Sequence, residues 1–306
     1  MSTKKILITG ATGQVARRAA EDLAKDNEVW CLARFTDPRI ERELAAGDIR
    51  TWRWDMDGGT LEGLPDDFTH VMHAAAYRGD GTDFEAAVTM NSLATSRLMT
   101  HCHHAESFLF VSTGAVYARK ARDHRYVETD PLGRRMGWLP TYPVSKITAE
   151  ATVCAFSATL DLPATIARLN VAYGPHGHGG MPVALFRRML AGRPIEVPHE
   201  GSDWCNPIHT DDVARQVPLL WEAAAVPARM VNWGGDEMVS IQDMMTFASE
   251  ITGVPVTFLP SAVTRETDAF DNSLRRALIG NCAVSWRDGL PPTLRAHVPT
   301  VRGSGA

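Results

Sequence analysis

The alternation of short apolar runs with helical patterns over the first 170 residues restricts this fold more than any other feature. Strands are predicted over 5–9, 28–33, 49–54, 70–75, 108–112 and 164–169. Helices are predicted over 14–25, 84–102 and 142–160. Strands that alternate with helices pair in parallel and are covered on both faces, so the fold class is α/β. After Gly174 the pattern is interrupted by glycine, proline and histidine as far as Pro182. Helices predicted over 183–191, 211–225 and 240–252, with short strands over 195–197, 230–232 and 256–259, indicate a smaller C-terminal lobe. Part of that chain returns to the sheet. Ser240 and Asp243 form a capping-box-like pair at a helix start. The expected division is a first domain over 1–173, the smaller lobe mainly over 174–299, and a frayed tail over 300–306.

Composition removes several classes of function. The 306 residues are 44% hydrophobic and 22% charged, as in ordinary globular chains. A net charge of −5 lacks the basic excess that non-specific nucleic-acid binding requires. No uncharged apolar run has the length of a membrane span, and the apolar run before Gly10 is too short for a signal peptide, so a cytoplasmic protein is expected. Five scattered cysteines, none in a C-x-x-C pair, indicate free thiols. The run His101-Cys102-His103-His104 points its side chains in different directions, as at a solvated helix end. His176 and His178 lack a carboxylate or cysteine at ligand spacing, so no metal is expected, and their loop is assigned to the neighbourhood of the substrate.

The first predicted strand runs into Thr9-Gly10-Ala11-Thr12-Gly13-Gln14-Val15-Ala16 and then a helix. Glycines at such a turn let the backbone and the helix N-terminus approach a pyrophosphate, so Gly10, Thr12, Gly13, Gln14 and Val15 are candidate cofactor contacts. The second strand ends in Leu32-Ala33-Arg34, without the carboxylate that usually accepts from an NAD ribose. The fork of Arg34 suits a 2′-phosphate, which favours NADP, with NAD possible. Asp55 and Met56, after the third strand, are candidates for the adenine end.

Tyr142 and Lys146 are spaced to share one helix face. A neighbouring ammonium favours the phenolate, so the tyrosine can exchange a proton near neutral pH. Ser112 and Thr113 stand at the end of the fifth strand, on the edge where ligands bind in such sheets.

With these motifs in order the chain resembles the extended short-chain dehydrogenase/reductase family, also called the NAD-dependent epimerase/dehydratase family. Further points of resemblance are His73-Ala-Ala-Ala76, Asn91 with Thr95, Arg168–Pro175, Ile208–Val213 and Asn232–Gly235, and the resemblance spans Lys4 to Gly289. It implies a Rossmann-type doubly wound parallel sheet with a smaller C-terminal substrate lobe. It also implies a catalytic triad of Thr113, Tyr142 and Lys146, with Lys146 on the nicotinamide ribose. Ala74, Ala75, Ala76, Asn91 and Asn170 fall at or near positions that line the cofactor. A homodimer is implied through the helices carrying Leu93, Leu98 and Met99 and carrying Ile147, Val153 and Phe156.

The substrate positions depart from the family pattern. Nucleotide-sugar enzymes of the family hold a pyrophosphate with an arginine where this chain has Cys205, and have asparagine where it has Val171. Arg187 or Arg188 is a candidate replacement, and Trp138 and Trp204 are candidates for aromatic surface. Gly114-Ala115 replace the acid pair of the sugar dehydratases. The chain thus reads as an NADP(H)-dependent oxidoreductase acting on a small, uncharged, non-nucleotide carbonyl or secondary alcohol. The alternatives are a nucleotide-sugar epimerase that retains NAD and a non-catalytic dinucleotide sensor.

Overall fold

The computed structural model describes residues 3–298 except 135 and 138. Trp138 and the 300–306 tail lie outside the described residues. The strands are β1 (Lys5–Thr9), β2 (Glu28–Ala33), β3 (Arg50–Arg53), β4 (His70–His73), β5 (Ser107–Thr113) and β6 (Ala164–Leu169), then β7 (Ala172–Tyr173), β8 (Ile195–Val197), β9 (Trp204–Cys205), β10 (Ile208–His209), β11 (Arg229–Trp233), β12 (Val239–Ser240) and β13 (Phe258–Pro260). The helices are α1 (Gln14–Leu23), α2 (Pro38–Ala46), α3 (Phe84–His101), α4 (Thr141–Leu160) and α5 (Gly180–Leu190), then α6 (Thr210–Glu222), α7 (Ile241–Thr252), α8 (Ser273–Ile279) and α9 (Trp286–His297).

A parallel sheet runs β11-β6-β5-β4-β1-β2-β3. The chain reaches one edge at β3 and restarts at β4 beside β1, so strand order reverses between β1 and β4. Ligands of such sheets bind at that reversal, beyond the carboxyl ends. Every residue of β4 and β6 is buried, as in strands of a parallel sheet covered on both faces. One core layer joins the sheet to α1 and α6, and a second joins it to α3 and α4. The return of β11 to β6 follows from α6 packing on the same sheet face as α1.

The lobe has its own core, built from α5, α7, α9 and the short strands. Val171 and Cys205 are both buried in it. Three helices were not expected from sequence. α2 is short, although Pro38 in its first turn and the Asp37 cap were visible signals. α8 is shorter still, and α9 contains Gly289, Pro291 and Pro292, which interrupt a helical pattern. Burial of Trp286, Leu290 and Leu294 in the lobe core holds α9 in place. Gly289 permits its close approach, since a Cβ there would stand 2.5 Å from the Tyr173 hydroxyl. Of the capping-box-like pair at α7, the Ser240 cap forms: Ser240 Oγ accepts from the Asp243 N–H at 2.9 Å. Leu98, Met99 and Val153, read as partner-facing, pack instead in the core between sheet and helices, whereas Leu93 is 40% exposed.

One buried ion pair fixes α4. The Arg168 guanidinium, on β6, donates to both oxygens of Glu150, at 3.1 and 2.8 Å. It also donates to the Glu128 carbonyl at 2.9 Å, and Ser112 Oγ donates to Glu150. Both charged side chains are almost fully buried. Removing one member of such a pair strands the other in low dielectric. Glu150→Ala should therefore lower stability by about 3–5 kcal/mol, read as a fall in the urea midpoint with an unchanged slope.

Candidate active site

The glycine loop between β1 and α1 packs directly against the chain after β4. Gly10 has φ +79°, and a Cβ there would lie 2.8 Å from the Ala75 nitrogen. Gly13 stands at the α1 N-cap with no side-chain cap, so the first N–H groups of the helix face outward. A pyrophosphate suits that cradle, where backbone donors and the helix dipole act together. Arg34 and Asp55 follow β2 and β3 on the same carboxyl edge, both exposed. Asp55 accepts from the Asp57 N–H as a turn residue, and Met56 packs against the core layer beneath.

A buried chain of polar groups runs from this loop to α4. The Ala75 N–H donates to Thr9 Oγ1, which lies 2.7 Å from His73 Nδ1. His73 Nε2 lies 3.2 Å from Thr95 Oγ1, and that hydroxyl donates to the Asn91 carbonyl at 2.7 Å. Because the Thr95 proton is committed to Asn91, His73 must donate from Nε2 and accept at Nδ1. Burial and the nearby Lys146 charge hold His73 neutral, with its pKa pushed down to about 3. Asn91 Nδ2 donates to Ser145 Oγ at 3.1 Å and to the Tyr77 carbonyl at 2.9 Å. Asn91 is therefore consumed in joining α3, α4 and the 74–77 segment, and lines neither cavity described below.

Tyr142 and Thr113 stand together in the wall of the site. Burial raises the phenol pKa, while Arg78, 5.5 Å from the ring centroid, and Thr113 lower it. Lys146 is buried, donates to the Val111 carbonyl at 2.7 Å and sits 4.3 Å from the centre of the Phe110 ring. Burial lowers its pKa from 10.5 to about 8, and Glu150 acts against that fall.

Two cavities share Thr113, Tyr142, Leu169, Asn170 and Arg265. The larger, about 270 Å³, also has Gln14, Val15, Ala74, Ala76 and Lys146 in its wall, and extends the glycine cradle. The smaller, about 160 Å³, opens among Gly114, Ala115, Arg134, Met136 and Asp268. Asn170 lines both, but Oδ1 accepts from the Val171 and Asn206 N–H groups and Nδ2 donates to the Asp268 carbonyl. The His178 loop closes over the larger cavity: a Cβ on Gly177 would stand 2.9 Å from the Gln14 backbone, and Gln14 Nε2 donates to the Ala172 carbonyl at 3.0 Å.

The guanidinium groups in the smaller cavity are not those expected from sequence. Arg188 pairs with Glu196 and the Pro194 carbonyl, Arg187 is exposed at the end of α5, and neither lines a cavity. Cys205 lines neither cavity as well; its Sγ lies 3.6 Å from the Val239 carbonyl inside the lobe core. Arg134 and Arg265 occupy the cavity wall instead. The carboxylate of Asp211 pairs with Arg18, and that of Asp212 accepts from the Ala283 and Val284 N–H groups. Among the described residues no group of three potential metal ligands comes together.

The sequence profile described as the NAD dependent epimerase/dehydratase family matches residues 6–234. The chain belongs to this family. The uncharacterized UDP-glucose epimerase YtcB of Bacillus subtilis is 24% identical over 81% of this chain and 82% of its own length. The dTDP-L-rhamnose 4-epimerase of Burkholderia thailandensis is 25% identical over 82% of each. The crystal structure of the Bacillus cereus UDP-glucuronic acid 4-epimerase, in complex with UDP-glucuronic acid and NAD, superposes with a TM-score of 0.80. It is 26% identical, covering 96% of this chain and 98% of that one. The family fold and the enzymatic character of the chain follow. No helix among the described residues is long and apolar enough to cross a membrane.

The buried ammonium has a measurable signature. While charged, Lys146 costs the native state stability, in full below about pH 8. Between about pH 8 and 10.5 the unfolded chain holds the proton more tightly, so stability from this group rises with pH. Lys146→Met should remove that rise, which paired urea melts of the unliganded protein between pH 7 and 10 would reveal.

Proposed function

We propose that this enzyme is a nucleotide-sugar epimerase that retains NAD between turnovers. The observation that carries the reading is the junction of the two cavities at Thr113 and Tyr142. On one side lies a glycine cradle suited to a dinucleotide, on the other a small cavity with two guanidinium groups in its wall. The similarity to epimerases named for UDP- and dTDP-sugars, one of them solved with NAD, supports it.

Gly10, Gly13, Gln14 and Val15 would hold the dinucleotide at the cradle and Lys146 at its ribose. NAD supplies a reversible hydride acceptor. Tyr142 takes the proton from the sugar hydroxyl that becomes a carbonyl, and returns it when the opposite face of the sugar is reduced. Thr113 holds the same oxygen. Water elimination would need a free carboxylate near Tyr142. Asp268, the one carboxylate among the described residues in the wall of either cavity, is bonded to Arg134, so the site favours epimerisation over dehydration.

The dinucleotide is assigned as NAD from the solved relative, although β2 ends in Arg34 rather than a carboxylate. Protein purified without added cofactor should release NAD on denaturation, measurable by enzymatic cycling; NADP in its place would make Arg34 a 2′-phosphate ligand. With no cofactor added, UDP-sugars should interconvert without net accumulation of NADH. Tyr142→Phe should slow that interconversion by roughly 10²–10⁴-fold while leaving the bound nucleotide in place.

A second reading, reduction of a small non-nucleotide carbonyl, is favoured by Arg34 standing where β2 of an NAD enzyme would end in a carboxylate. It requires stoichiometric NADPH consumption and no nucleotide retained through purification. A homodimer through α3 and α4 belongs to the proposal, with Phe84 and Leu93 offering outward apolar surface. Light scattering at micromolar concentration tests it.

A further inference from the structure

Arg134 is 5% exposed, yet it lines the smaller cavity together with Thr113 and Tyr142. One end of its fork binds Asp268 and the other binds Glu266, the latter at 3.1 Å. Its Nε is buried with no hydrogen-bond partner. Buried donors left without an acceptor are rare and call for an explanation. The surrounding charges do not cancel. Arg119 pairs with Glu266 at 3.0 Å and Arg265 with Asp268 at 3.5 Å. Among the described residues of this cluster, three guanidinium groups against two carboxylates leave one positive charge in excess beside the cavity.

The position of that excess restricts the anion it can meet. Gly114 and Ala115 share the cavity, and Phe270 lies so close to Gly114 that a Cβ there would come within 2.6 Å of its ring. A group reaching Arg134 through this space of about 160 Å³ therefore lies close to the oxygen held by Thr113 and Tyr142. In a nucleotide sugar the diphosphate hangs from the anomeric carbon, across the ring from position 4. An acidic group on the ring carbon next to position 4 lies beside the reacting oxygen.

We propose that Arg134, with Arg265, receives a carboxylate carried by the sugar ring beside the reacting carbon. The substrate class is then a nucleotide-diphosphate uronic acid rather than a neutral hexose. This rests on the epimerase reading above and narrows it. Arg134 and Arg265 act as specificity-determining residues: the carboxylate balances the surplus positive charge at the cavity wall.

Calorimetry on the protein as purified, with UDP, UDP-glucose and UDP-glucuronic acid, tests both levels. Tighter binding of UDP-glucuronic acid than of UDP-glucose by roughly 10- to 100-fold, about the worth of one charge-assisted hydrogen bond, is expected. Arg265→Gln should narrow that ratio. Arg134→Lys, which keeps the charge and lacks the fork, should narrow it as well, with folding checked by its urea midpoint. Equal affinity for the two sugars, with UDP itself binding, would overturn the carboxylate assignment and leave the epimerase reading standing. No binding of UDP or of either sugar would remove the epimerase reading and this inference with it.

Discussion

The pairing of Arg168 with Glu150 is the interaction on which the site's geometry depends. It joins β6 to the third turn of α4, and through Ser112 it reaches β5 as well. Tyr142 and Lys146 are on the first two turns of the same helix, so their height above the sheet is set by this contact. A buried ion pair adds little net stability compared with an apolar contact of the same shape. Its contribution here is orientation: a two-pronged bond tolerates far less rotation of α4 than a greasy contact would. The Thr9–His73–Thr95–Asn91–Ser145 chain acts at the other end of the helix in the same way. Between them they set the distance from the glycine cradle to the phenol.

Much of this was legible in the sequence, and the legible part has a common physical character. The cradle between β1 and α1, the Tyr142 and Lys146 spacing, and Thr113 at the end of β5 are each written within a few consecutive residues. The resulting positions depend on local geometry and on strand order. What escaped is written across the chain. Arg134 meets an acid 134 residues away, and Gln14 reaches a carbonyl 158 residues away. No window of sequence holds both members of either pair. Asn91 and Asn170 mark a related limit. They fall at positions associated with the cofactor, but their amides are engaged in tying backbone segments together. α9 escaped for a different reason, because helix breakers inside it are overruled by tertiary burial of one face.

The substrate end of the site illustrates how charge can move while the architecture stays. At Cys205 a cation would be enclosed in the lobe's apolar core, where its desolvation would be unfavourable. The cations that face the cavity come from the segment leading into α4 and from the chain after β13, both outside that core. Reading one diagnostic position in isolation therefore suggests an uncharged pocket, whereas the cavity wall as folded carries an excess of positive charge.

The contact between the 174–180 segment and the glycine loop has a kinetic consequence. Gly177 abuts the Gln14 backbone and Gly180 the Ala172 carbonyl so closely that neither could carry a side chain, and His297 from α9 donates from Nε2 to the Gly174 carbonyl. A dinucleotide seated against Gln14 would leave only when this segment lifts, and the segment is bound to the lobe. Its residence time would then be governed by a collective opening of the lobe rather than by the strength of its own contacts. Slow escape of that kind lets a redox carrier be reduced and restored many times in one place, with the surrounding pool of nicotinamide nucleotides neither drawn upon nor sensed.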